Sequence, residues 1–164
     1  MKKIIRITLI ILLVILIIIQ FIRPEKNISG NVANDITTKY AVPDNLMQTL
    51  KPACYDCHSN NSAYPWYWNL QPVAWFMNGH IDEGKHHLNF SEFTSYNIGK
   101  QYKKLEEIGK EVKSGDMPLT SYTLIHTDAR LSDEQKTDIQ KWVATTRKDI
   151  EIHYPPDSLI SPKK

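Results

Sequence analysis

Residues 7–22 are Ile, Leu, Val and Phe broken only by Thr8 and Gln20, and no polar face emerges at helical spacing. Extended across Arg6 to Ile4 and Ile5, and at about 1.5 Å per residue, the run reads as just long enough to span a bilayer. A cleaved signal peptide ends in a small-x-small site, whereas this run gives way to Gln20-Phe21-Ile22-Arg23-Pro24. An uncleaved transmembrane signal-anchor is therefore expected over residues 1–23. Lys2, Lys3 and Arg6 precede the run, which by the positive-inside rule keeps the N-terminus cytoplasmic. The expected location is a single-pass protein of the cytoplasmic (inner) membrane, with everything after Arg23 periplasmic or extracytoplasmic.

Residues 24–43 carry Pro, Gly, Asn and Asp with little periodicity and read as a linker. Asp44 suits the start of a short helix with Leu46, Met47 and Leu50 inward, and Pro52 the start of another turn. Pro72 suits a helix start, with Val73, Phe76, Met77 and His80 or Ile81 inward until Gly84 ends it. Ser91 begins a further helical stretch. Tyr102, Leu105, Ile108 and Val112 recur at three- and four-residue spacing among lysines and glutamates, predicting an amphipathic helix that stops at Gly115. Ser132 with Gln135 forms a capping box for a last helix, with Ile139, Trp142 and Val143 as its buried stripe. No alternating strand pattern of useful length appears. The predicted fold class is all-α: an N-terminal transmembrane helix, then a cytochrome c-like helical domain over residues 44–150, closed by a polar tail at 151–164.

Charge narrows the function. The chain has 20 basic and 18 acidic residues, but four of the basic ones lie in the first 23 residues, which hold no acid. The remainder is slightly acidic and cannot neutralise a row of phosphates, so no nucleic-acid partner is expected. Two cysteines exclude a disulfide-rich scaffold.

Both cysteines lie in Cys54-Tyr55-Asp56-Cys57-His58. In a helical turn, positions i, i+3 and i+4 share a face, so two thiols and an imidazole point toward one flat partner. Covalent c-type haem attachment needs that pattern: Cys54 and Cys57 add to the two vinyl groups as thioethers, and His58 reaches the iron. Three other readings compete: a structural disulfide, a thioredoxin-like thiol pair, and half of a zinc site completed from His80, His86 or His87. The thiol pair lacks an accompanying βαβ pattern, and the zinc site lacks a second Cys-x-x-Cys.

A six-coordinate haem iron needs a ligand opposite His58. Met117 is the natural candidate, in the helix break Gly115-Asp116-Met117-Pro118, where proline stiffens the loop. His80 is the alternative distal ligand. Trp66, Trp68 and Trp75 with Tyr64, Tyr67 and Phe76 form an aromatic group downstream of the motif, suited to shielding one haem edge. Trp75 and Tyr122 are the residues expected to touch the cofactor. His126 lies in a loop-like position with no partner evident.

The order of these motifs resembles class I cytochromes c, and more closely the small membrane-anchored haem-binding domain proteins of Bacteroidota-type bacteria. The resemblance is carried by Cys54-Tyr55-Asp56-Cys57-His58-Ser59, by Leu88-Asn89-Phe90-Ser91 after Gly84, and by Gly115-Asp116-Met117-Pro118 followed by Tyr122. It covers about residues 43–145. It implies covalent haem c with iron, His58 as proximal ligand and Met117 as distal ligand. The segment between Trp66 and Ser114 is longer and more aromatic than in a minimal cytochrome c, which keeps His80 open. The expected function is non-enzymatic single-electron transfer with redox partner proteins at the membrane. A haem enzyme or sensor with an open sixth site, peroxidase-like or gas-binding, is the alternative; a cofactor-free thiol oxidoreductase is the third class.

Overall fold

The computed structural model describes residues 1–160; the last four residues of the expected polar tail lie outside the described residues. The chain is helical throughout, and among the described residues the only β pairing is one antiparallel bridge between Ile28 and Asn61. The all-α expectation therefore holds. Helices α1 (Lys2–Ile19), α2 (Asp44–Leu50), α3 (Asp56–His58), α4 (Val73–His87), α5 (Ile98–Ser114), α6 (Thr120–Thr123) and α7 (Asp133–His153) are joined by short 3₁₀ turns.

The expected membrane anchor does not hold. Among the described residues no helix is long and apolar enough to cross a membrane, and the expected transmembrane helix and single-pass membrane location fall with it. Helix α1 has 18 residues, about 27 Å at 1.5 Å per residue, but its first turns contain Lys2, Lys3 and Arg6. Its uninterrupted uncharged part, residues 7–19, covers only about 20 Å, against a hydrocarbon thickness of about 30 Å. The helix then stops at Gln20, whose side chain is drawn into the rest of the protein. Gln20 Oε1 accepts from the Gln71 backbone N–H at 2.9 Å, and the Gln71 side-chain amide donates to the Ile22 carbonyl at 2.8 Å.

Residues 24–43, read from composition as a linker, contribute Ile36 and Tyr40 to the main core. Asp35 starts the 3₁₀ turn Ile36–Thr38 by accepting from the Thr37 backbone N–H at 3.0 Å. That turn places Ile36 beside Leu46, Leu50, Phe90 and Phe93. Isolated apolar residues between polar ones carry no period, so composition alone hid them.

The frame of the domain is the pair α5 and α7. Leu105, Ile108 and Val112 from α5 meet Ile139, Trp142, Val143 and Ile150 from α7, all buried. The helices approach closely at Gly109, where an added Cβ would lie 3.4 Å from Val143 Cγ1 and 3.3 Å from Gln140 Oε1. Both predicted ends are present. Gly115 closes α5 with φ 83°, a backbone conformation open to glycine, and Ser132 and Gln135 cap α7 reciprocally at 3.1 and 2.8 Å. Ser91 was expected to begin a helix; it lies instead inside the 3₁₀ turn Phe90–Ser95, which Asn89 caps by accepting from the Ser91 backbone N–H at 3.0 Å, and the chain turns extended at Tyr96 and Asn97 before α5 begins.

Ile139 is fully buried, so Ile139→Ala should cost about 2–5 kcal/mol. Ser132→Ala removes one exposed cap and should cost about 1 kcal/mol. Urea denaturation followed by far-ultraviolet circular dichroism checks both values, and equal costs would contradict this account of the core.

Candidate functional site

Cys54, Cys57 and His58 sit where α2 and α3 join. Between them, Lys51–Tyr55 forms a π-turn containing Pro52. Proline has no N–H to give and its ring crowds the preceding turn, so the wider turn carries the helical path onward instead of breaking it. A fresh helix start at Pro52 was expected; the chain instead runs helically from Asp44 to His58. The motif remains in helical conformation, with the two thiols three positions apart and His58 next to the second.

His58 is fixed by the C-terminal half of α4. Its Nδ1 lies 2.8 Å from the Gly84 carbonyl and 3.0 Å from the Leu88 carbonyl. Carbonyls only accept, so Nδ1 carries the proton and the lone pair lies on Nε2. Burial holds the ring below its ordinary pKa despite these two bonds, and keeps it neutral. Gly84 does not end α4, which continues to His87. Its smallness serves another purpose: a Cβ there would lie 2.8 Å from the Cys57 carbonyl oxygen. The close approach that brings the Gly84 carbonyl to His58 exists only without a side chain.

The residues after His58 are clamped by the Leu88-Asn89-Phe90-Ser91 segment. Ser91 Oγ accepts from the Asn60 backbone N–H at 3.1 Å, and Asn89 Nδ2 donates to Asn60 Oδ1 at 2.8 Å. Tyr55, inside the motif, stacks on Phe90 with ring centroids 4.8 Å apart and planes 4° from parallel. One face of the motif is thereby built into the core.

Beside Cys57 an almost wholly apolar cleft opens, with a cavity volume of about 100 Å³. Val73, Phe76, Met77, His80 and Ile81 line it from α4. Leu119, Ser121, Tyr122, Ile125 and His126 line it from the α6 side, and Asp56, Ala63 and Tyr67 complete it with Cys57. Phe76 was expected to face the core; it is exposed and faces this cleft.

The expected site residues divide accordingly. Cys57, Tyr122 and His80 lie on the cleft. Trp75 lies apart, 40% exposed, with its Nε1–H donating to the Ile22 carbonyl at 3.0 Å. Trp66 is 76% exposed, and Trp68 packs edge-on to Tyr64. Met117 is half-buried in the turn after α5 and is not among the residues lining the cleft; its backbone N–H donates to the Glu111 carbonyl at 3.2 Å.

His126, for which no partner was evident in the sequence, has two. Its Nδ1–H donates to the Tyr122 carbonyl at 3.2 Å and its Nε2 accepts from Tyr67 Oη–H at 2.7 Å. Its ring stacks on Tyr122 at 3.9 Å, and Tyr122 Oη–H donates to Asp56 Oδ2 at 2.6 Å. The four-residue spacing of Tyr122 and His126 was the only sequence signal for this group. The acceptor role of the Gly84 and Leu88 carbonyls had no signal, because backbone groups carry no residue identity.

These residues fit a haem. The cleft offers an apolar wall for a flat macrocycle, with Cys57 on it and with Cys54 and the His58 imidazole in the same helical turn as Cys57 though not themselves part of the wall. Burial pushes the Cys54 thiol up to about 12 and the Cys57 thiol up to about 11, so both are protonated at neutral pH. That suits neutral thioethers and opposes a thiolate site. Among the described residues no group of three or more His, Cys, Asp or Glu side chains can hold a metal ion, which leaves the zinc reading without its further ligands.

An all-helical domain in which a Cys-x-x-Cys-His turn places Cys57 on an apolar cleft fits a porphyrin-binding class of protein. The chain belongs to the haem-binding domain family, whose model matches residues 14–145, and it binds haem. No curated protein and no solved structure matches it.

Gly84→Ala should cost about 1–3 kcal/mol and lower haem content per polypeptide several-fold, because the new methyl group pushes the His58 carbonyl partner away. Gly79→Ala, on the same helix but with open space around it, is the matched control and should change neither quantity for the worse. Haem quantified in alkaline pyridine against protein concentration decides the comparison; equal losses in both variants would contradict a role for Gly84 in placing His58.

Proposed function

We propose that the chain carries its haem covalently, as haem c, and passes single electrons. The observation that carries this reading is the imidazole of His58, held by two backbone carbonyls with Nε2 free, next to Cys57 on the cleft and within one helical turn of Cys54. When bound, haem supplies reversible one-electron chemistry at its iron.

The residues have separate tasks. The Cys54 and Cys57 thiols would hold the haem as thioethers, each by addition of its S–H across a vinyl group with nothing released. His58 Nε2 donates its lone pair to the iron, while Nδ1 holds the ring in place and raises its basicity through the Gly84 and Leu88 carbonyls. Val73, Phe76, Ile81, Leu119 and Ile125 exclude water, which lowers the local dielectric around the metal. Met117 or His80 would supply a second ligand to the iron. The exposed mouth of the cleft suits brief encounters with redox partner proteins.

Haem should remain with the polypeptide through denaturing electrophoresis and acid-acetone extraction, and peroxidase-type staining of the gel reads this directly. Cys54→Ser with Cys57→Ser should abolish the stain, and His58→Ala should lower haem incorporation. Freely extractable haem in the wild type would overturn covalent attachment. A potentiometric titration should follow a reversible one-electron curve, and steady turnover of peroxide would overturn the carrier reading in favour of an enzyme.

A further inference from the structure

The second axial position can be argued beyond the sequence. We propose that His80, on α4, is the iron ligand opposite His58, and that Met117 serves the fold instead. This assignment rests on the haem c reading above.

Four side chains merit comparison: Met77, His80, His126 and Met117. His126 has both ring nitrogens engaged, one by the Tyr122 carbonyl and one by Tyr67 Oη–H, and its ring lies flat on Tyr122. Ligation through either nitrogen would break a bond already made. Met117 belongs to the end of α5: the backbone N–H groups of Gly115, Asp116 and Met117 all converge on the Glu111 carbonyl, at 3.2, 3.1 and 3.2 Å. Its backbone position is set by helix capping.

His80 lines the cleft with Cys57. Its Nδ1 lies 2.8 Å from the Phe76 carbonyl, which only accepts, so Nδ1 carries the proton and Nε2 keeps its lone pair. His58 holds the same tautomer by the same device. The Phe76 ring packs against the His80 ring at 4.3 Å, which limits its rotation. A carbonyl on one nitrogen, with the other left free, is the arrangement that orients and strengthens a metal-ligating histidine. Met77 shares the cleft wall, but its three rotatable bonds have no such fixing contact. Both proposed ligands thus depend on carbonyls of α4: Phe76 for His80, Gly84 for His58.

The test begins with the intact wild-type protein, oxidised, with haem retained on denaturing electrophoresis. A histidine pair predicts a low-spin spectrum without the near-infrared sulfur-to-iron charge-transfer band. His80→Ala should convert it to high spin and let the reduced form bind carbon monoxide, which the wild type does not. His80→Met should stay low-spin, gain the sulfur band and rise in reduction potential, because a thioether favours reduced iron; this variant keeps a ligand and guards against simple misfolding. Met117→Leu should leave the spectrum unchanged. A sulfur band in the wild type that disappears in Met117→Leu or Met77→Leu would overturn the assignment, as would a wild type that is already high-spin or binds carbon monoxide. Loss of haem from the wild type on the gel would instead overturn the covalent reading beneath it, so the two failures remain distinct.

Discussion

The hydrogen bonds from His58 Nδ1 to the Gly84 and Leu88 carbonyls are the constraint on which the site depends. They require the C-terminal half of α4 to lie against the turn carrying both cysteines. That closeness in turn requires a residue without a side chain at position 84, because the Cys57 carbonyl occupies the space a Cβ would take. Once α4 is fixed there, its preceding turns present Val73, Met77, His80 and Ile81 to the cleft beside Cys57. Glycine at 84 therefore matters through what it allows to approach, and not through any freedom of its backbone.

Rigidity at this point is supplied from outside the cleft. Asn89 and Ser91 hold Asn60, Phe90 stacks on Tyr55, and Phe90 is itself part of the core built on α5 and α7. The motif is thus attached to the frame on one side and open to the cleft on the other. Tyr122 joins the two sides of the cleft by donating to Asp56, which lies between the two cysteines.

How much was legible in the sequence follows the range of the forces involved. Ser132 with Gln135, Gly115, and the stripe from Tyr102 to Val112 each act within a few residues, and each was read correctly. Gly84 was read as a helix stop because a local rule was applied where a contact with residue 57 decides. Ile36 and Tyr40 were hidden in a segment without periodicity, yet they close the core. The apolar run at the N-terminus was visible, but its usable length was overcounted: Arg6 interrupts it at one end and Gln20, bonded to Gln71, ends it at the other. At the site, the expectation for Cys54, Cys57 and His58 came from their spacing alone, and the fold keeps them in one helical turn with Cys57 on the cleft. The cleft walls were not legible, since Tyr67, His126 and Ile125 meet only in the fold.

The electrostatics of the motif explain why the same five residues suit a porphyrin better than thiol exchange. A reactive thiol pair needs a lowered pKa, supplied by a helix N-terminus or a neighbouring cation. Here burial acts first on both thiols and raises them, and for Cys57 the Asp56 carboxylate acts in the same direction. The imidazole is treated alike, since burial disfavours its cation. The two thiols and the His58 imidazole are thereby all shifted toward their uncharged forms. The surroundings that suppress thiolate chemistry are the ones that prepare this turn for a flat apolar partner.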